Sequence, residues 1–237
     1  MAATTGLATT RGEAADGTAE AGNAVERTCA GIVALIERGR LVGGSPLGEV
    51  ELAARLSVAR STVREALARL ESRGLAVRGG GRGLVVRRLD RKDVADLYAL
   101  REQLEGLAAR LAAERQAVER PWTRARIADE RRRWRALLKD GSLPAFGDAN
   151  RAFHRAVIDA AGNRHLPDML ERTLMTLFAS QFRAWVATPD TVRAATQHLE
   201  LIDAIEAGDA AAAERAMRAH VRDSAAMILR LEDAAFD

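Results

Sequence analysis

Between Glu49 and Val86 the chain changes its apolar period in an order that few folds accommodate. EVELAARL and RSTVREALARLESRG each place apolar residues at helical spacing, with only Ser57-Val58-Ala59 between them. Gly74 stands where a helix commonly ends, and the β-prone runs Leu75-Ala76-Val77 and Leu84-Val85-Val86 then flank a glycine-rich turn. Ahead of these, Cys29, Ile32, Val33, Ile36 and Leu41 form one more helical stripe, followed by a Gly/Pro-rich loop from Val42 to Gly48. Three helices plus a small β-hairpin make a winged helix-turn-helix over residues 23–88.

In such a unit the second helix of the pair enters the major groove with its first turn against the base edges. That turn here is Arg60-Ser61-Thr62-Val63-Arg64. Arg60 and Arg64 lie one turn apart on one face, and an Arg fork matches the two acceptors of guanine. Ser61 and Thr62 can bond a phosphate from the helix start. Gly80, Gly81 and Arg82 at the hairpin tip suit close approach to a phosphate or the minor groove. Charge agrees: twelve Arg against six Glu give residues 23–88 a net of +6, whereas residues 1–22 carry −2 and the remainder −1. Only the N-terminal unit is built to meet a polyanion, and the partner it fits is double-stranded DNA.

After Arg88 the pattern is helical throughout. Asp90 can cap a long helix with an apolar face of Val94, Leu97, Leu100, Leu104, Leu107 and Leu111. Further helices are expected over Pro121–Lys139, Phe146–Ala161, Leu166–Trp185, Thr191–Ala207 and Ala210 to about Leu231, with Gly208 as a stop and Asp209 as a cap. The fold class is mainly α, with an all-helical bundle over residues 89–237. Residues 1–22, rich in Ala, Thr and Gly without an apolar period, are expected to be disordered. One cysteine excludes an internal disulfide, no apolar run is long enough for a bilayer, and the start does not read as a signal peptide. A cytoplasmic protein without membrane contact is the expectation, with Cys29, Trp122, Trp134 and Trp185 in its core.

The helical half holds all four histidines: His154, His165, His198 and His220. Asn150 and His154 share a helix face, and His198 and His220 fall on the inward sides of the last two helices. Three imidazoles from three helices can converge on a first-row transition metal; each can equally be a hydrogen-bonded core residue. Arg101 sits within the apolar face of the long helix, where a charge must be paired. It serves either a salt bridge with Glu105 or a clamp for a carboxylate ligand.

RLVGGSPLGEVELAARLSVARSTVREALARLESRGLAVRGGGRGLVV resembles the DNA-binding domain of the GntR family of bacterial regulators. LYALREQLEGLAARLAAE, RAFHRAVIDAAGN and IDAIEAGDAAAAERAMRAHV are similar to the family's FadR-type C-terminal domain, FCD. The resemblance spans roughly residues 25–230. It implies that Arg60, Ser61, Thr62 and Arg64 contact the operator and that Gly80, Gly81 and Arg82 form the wing. It departs at Val50, where the family usually has Arg, and at Gly43-Gly44, where Pro-Gly is usual. It also implies a metal held by His154, His198 and His220, with Asn150 where the family carries an acid. Imidazole-rich ligation points to zinc or nickel. His165 matches no ligand position.

The function expected is a transcription regulator, a repressor by the family's commoner logic. It would be a homodimer on a pseudo-palindromic operator, modulated by a small organic-acid effector at Arg101 and the metal. Two other classes were weighed: a metal-dependent enzyme, and an architectural DNA-binding protein without a ligand. A ferritin-like di-iron site needs Glu three residues before His, and Arg151, Ala195 and Met217 stand there instead. No metalloprotease, phosphate-loop or nucleophile-elbow motif occurs either.

Overall fold

In the computed structural model, helix α1 (Gly12–Glu37) precedes the helix pair α2 (Glu49–Leu56) and α3 (Arg60–Ser72), and the hairpin β1 (Ala76–Arg78) and β2 (Leu84–Val86) follows. The helical half comprises α4 (Arg91–Val118), α5 (Arg124–Asp140), α6 (Leu143–Ala161), α7 (Leu166–Glu171), α8 (Met175–Phe182), α9 (Thr188–Ala207) and α10 (Ala210–Leu229). A final 3-10 turn spans Asp233–Ala235. The structure describes residues 12–81, 83–140, 143–173, 175–182, 185 and 188–236; of 12–22, 140, 143, 144, 175, 179 and 188 it describes the backbone alone. The chain divides into two compact units between Arg87 and Arg88.

In the first unit, Val25, Cys29, Ile32 and Ile36 of α1 are buried, as are Val63, Leu67 and Leu70 of α3. The tight turn between α2 and α3 forms because Ser57 takes a left-handed conformation (φ 55°), returning its N–H to the last α2 carbonyls. Gly74 (φ 76°) closes α3, and the amide of Leu75 reaches the Leu70 carbonyl. The hairpin is antiparallel with Ala76 opposite Val86 and Arg78 opposite Leu84. The loop before α2 adds a bridge from Pro46 to Val85, bracing the wing's second strand.

The disorder expected for residues 1–22 does not hold where the backbone is described: α1 already begins at Gly12. Its Ala and Glu content favours helix and continues the register of the packed segment that follows. The other residues of that expectation, 1–11, lie outside the described ones.

The second unit is organised on α4, against which α6, α9 and α10 all pack. Asp90 caps α4 in a reciprocal box with Asp93. The buried side of α4 is not the leucine stripe read from the sequence. Tyr98, Arg101, Glu105, Ala108, Ala109, Ala112, Ala113 and Gln116 are buried with Val94, while Leu100 is 58% exposed. The small alanines, with Gly106, let α10 approach closely, and a larger side chain would hold it off. A Cβ at Gly106 would come within 2.6 Å of Arg218 on α10.

The single helix expected over Leu166–Trp185 is two, α7 and α8. Thr173 turns its hydroxyl back onto the Leu170 carbonyl at 2.6 Å, the kind of bond that competes with helix continuation. Gly208 (φ 71°) ends α9, and the Asp209 carboxylate accepts from the Ala212 amide at the start of α10. Trp122 and Trp134 are buried, but Trp185 is 38% exposed and is not core. Among the described residues no helix is long and apolar enough to cross a membrane.

Candidate functional site

The first turn of α3 presents Arg60, Ser61 and Arg64 to solvent, with Thr62 half-buried and Val63 anchoring the turn inward. Both arginines face one acid that the sequence reading did not single out. Glu49, at the start of α2, accepts a two-pronged bond from Arg64 (Nε to Oε1 and Nη2 to Oε2, both 2.9 Å). Arg60 Nη2 lies 3.7 Å from the same carboxylate. The pairing lowers the Glu49 carboxyl below its ordinary value, chiefly through the Arg64 hydrogen bond. Glu49 thus preorients the forks that the turn displays. Gly80 and Gly81 are exposed, and added Cβ atoms there would meet nothing within 4 Å, leaving the wing's backbone amides approachable. Arg82 lies outside the described residues. Val50 is 63% exposed on α2.

In the helical unit, α6, α9 and α10 bring His154, His198 and His220 together, all buried. His154 Nε2 is 3.2 Å from His220 Nε2 and 3.4 Å from His198 Nε2. Each outer ring nitrogen has a distinct environment. His154 Nδ1 meets the Glu105 carboxylate, whose Oε1 accepts from Arg101 Nε (2.9 Å) and Nη2 (2.8 Å). His220 Nδ1 meets Gln197 Oε1 at 3.1 Å, while the Gln197 amide donates to Asp223 at 2.6 Å. Arg193 closes that chain by donating to Asp223 at 2.5 Å. His198 stacks on Trp134 with ring centres 4.0 Å apart and lies against the backbone of Ala194 one turn earlier on α9.

These partners dictate tautomers. Burial raises the Glu105 carboxyl, but the charge of Arg101 and the contact with His154 outweigh it and hold the group well below the usual carboxylate range. An ionised Glu105 can only accept, so His154 Nδ1 carries hydrogen. Gln197 offers its oxygen to His220 because its nitrogen is committed to Asp223, so His220 Nδ1 also carries hydrogen. The Nε2 atoms of His154 and His220 then face each other at 3.2 Å. Burial first, and the neighbouring imidazoles second, push His198 well below the ordinary imidazole value; burial and His154 push His220 down to about 3.

A pH dependence follows for metal-free protein. The unfolded chain takes up protons on His198 and His220 below their ordinary value of 6.5, and the folded one resists. Stability is therefore fully present above about pH 6.5 and falls toward pH 3, by up to about 1.4 kcal/mol per pH unit per histidine. Glu105, also lowered from its ordinary 4.5, adds loss of the same sign below that value. Urea unfolding of chelator-treated protein at pH 7.5 and 5.5 measures this; equal midpoints at the two values contradict it.

Asn150, one turn before His154, is half-buried and lines a cavity of about 210 Å³ together with His154 and His220. Arg101 also lines it and makes the salt bridge with Glu105 that the sequence allowed. Its guanidinium lies 4.4 Å from the Tyr98 ring centre. His165 is exposed at the start of α7, outside the cluster, where it accepts from Arg164 at 3.1 Å. Gln197 carried no signal in the sequence: it neighbours His198 in the chain yet serves His220.

Comparison with known proteins places both units. The model of the FCD domain matches residues 96–223, and that of the bacterial regulatory proteins of the gntR family matches residues 24–86. A probable D-xylose utilization operon transcriptional repressor from Paenarthrobacter nicotinovorans is 34% identical over 80% of this chain and 82% of its own length. The HTH-type transcriptional regulator LutR of Bacillus subtilis (strain 168) is 31% identical over 79% and 93%. Among solved structures, E. coli McbR/YncC superposes with a TM-score of 0.73 at 19% identity, covering 87% of this chain and 96% of its own. A GntR regulator from Rhodococcus sp. RHA1 gives 0.69 at 22%, covering 88% and 99%, so both share the fold. With the gntR-family domain matched over residues 24–86 and the FCD domain over residues 96–223, the chain belongs to the GntR family of bacterial DNA-binding transcription regulators, in its FCD-containing branch.

Proposed function

We propose that this regulator is a repressor whose DNA binding responds to a small organic acid held in the histidine cavity beside a divalent transition metal, zinc or nickel. The observation that carries this reading is the convergence of the three Nε2 atoms. A tetrahedral ion with metal–nitrogen bonds of about 2.05 Å separates its ligand nitrogens by about 3.3 Å. The separations from His154 to the other two rings, 3.2 and 3.4 Å, bracket that value, and the ligand atoms of all three lie within 4.8 Å of one another. A shared proton could relieve one pair of rings but not three. Glu105 and Gln197 supply what ligating imidazoles need on their outer nitrogens, and Trp134 and Phe153 wall His198 from water.

His154, His198 and His220 would hold the ion, with Asn150 at the cavity side as a neutral oxygen donor. The ion supplies positive charge and open positions. Because the three imidazoles and Asn150 are uncharged and Arg101 is already neutralised by Glu105, that charge is left to attract an anion. The effector's carboxylate is accordingly assigned to the histidine wall, with Arg101 as a paired neighbour and not a free clamp.

Two chains are proposed to pair through the helical unit and present Arg60, Ser61, Thr62, Arg64 and the wing residues Gly80, Gly81 and Arg82 to a pseudo-palindromic operator. The half-covered stripe Leu97, Leu100, Leu104, Leu107 and Leu111 on α4 supports that pairing, since one protomer leaves it unburied. An effector acts only through its different affinity for the DNA-competent and incompetent arrangements. The test is elemental analysis of protein purified without chelator, followed by footprinting with and without that metal and a panel of carboxylates. About one zinc or nickel per chain and acid-dependent loss of the footprint are expected. Metal-free protein that refuses added zinc would overturn the reading.

A further inference from the structure

The cavity is chemically two-ended, and its axis can be followed along two helices. On α10 the lining runs from His220 through Ser224 to Met227 and Ile228, successive turns of one face. On α4 it runs the other way along the chain, from Arg101 beside Glu105 to Tyr98 one turn earlier. The histidine end therefore gives way, over about two helical turns or roughly 10 Å, to an apolar end. There Tyr98 meets Phe178 edge-on with ring centres 4.7 Å apart, and Phe182 follows 6.2 Å further on.

The polar groups between the two ends that lie on α4 and α10 already make internal hydrogen bonds. The Ser224 hydroxyl donates to the His220 carbonyl at 3.0 Å, and Tyr98 shares a hydrogen bond with Arg101. Arg101 itself is bound to Glu105 and covered by the Tyr98 and Phe178 rings at 4.4 and 5.7 Å. A ligand hydroxyl placed against Phe178, Phe182 and Met227 would give up water to three apolar side chains. An alkyl or aryl group placed there loses only unfavourable hydration.

We infer that the effector class is a carboxylate with an unhydroxylated apolar body. Its head lies at Asn150, His154 and His220, and its body lies against Tyr98, Phe178, Phe182 and Met227, an end that disfavours polyhydroxylated acids. This rests on the reading of the histidine cavity as the effector site.

The test is calorimetric titration of the zinc-loaded full-length protein with acetate, butanoate and hexanoate, and with gluconate as the hydroxylated six-carbon counterpart. Affinity is expected to rise about fourfold per methylene, the factor to which about 0.8 kcal/mol corresponds, so that hexanoate exceeds butanoate by roughly fifteenfold. Gluconate is expected to bind more weakly than hexanoate. Met227→Gln, similar in volume but polar, is expected to flatten the rise from butanoate to hexanoate, with circular dichroism reporting that the variant is folded. A flat series, or gluconate tighter than hexanoate, overturns the inference but leaves the cavity an effector site. A steep series unaltered by Met227→Gln overturns the placement of the apolar body. Binding of none of the four acids overturns the effector reading together with this one.

Discussion

Arg64→Ala is expected to weaken sequence-specific operator binding strongly and to leave the helical unit folded: this is the largest effect expected from a single change in the N-terminal unit. Arg64 is exposed on the first turn of α3, held with its fork extended by Glu49, and takes no part in the core. Losing one bidentate base contact weakens the cognate site by roughly tenfold to a hundredfold while binding to unrelated DNA changes little. Arg64→Lys separates charge from geometry. It keeps the cation but not the planar fork, so it is expected to preserve the salt dependence of binding and lose discrimination between bases. Footprinting on a selected operator, with circular dichroism as the folding control, measures both variants. A wild-type footprint from Arg64→Ala would remove α3 from its assigned role.

The second large effect concerns the histidine cavity. His198→Ala and His220→Ala are each expected to lower metal affinity by at least about tenfold, since each removes one of only three imidazole ligands. Asn150→Asp is expected to move two affinities in opposite directions. A carboxylate adds a negative charge and a harder oxygen, tightening the ion. It also offsets the positive charge that draws an acidic effector, weakening that ligand. A cluster of merely packed histidines cannot supply this pairing of effects, because it binds neither species. Competition with a chromophoric chelator gives the first affinity and calorimetry with hexanoate the second. Movement of both in the same direction, or of stability alone, assigns Asn150 to structure.

The elements whose form depends on local chemistry were legible in the chain. Asp90 and Asp209 cap their helices, Gly74 and Gly208 end theirs with positive φ, and the hairpin flanks its glycines, because each needs only its own neighbours. The three histidines could be placed on inward faces for the same reason. Their separations could not, because those depend on how α6, α9 and α10 lean on α4.

Packing also decided matters that local pattern misjudged. On α4 both the leucine stripe and the alanine stripe are apolar enough to be a core face. The alanine side is buried because it lets α10 come close, and the leucines stay half-covered. Glu105 links Arg101 to His154, a connection that exists only once α4 and α6 are packed together. Helix periodicity assigns a residue to a face; which face is buried, and which atoms meet there, is decided by the neighbouring helices.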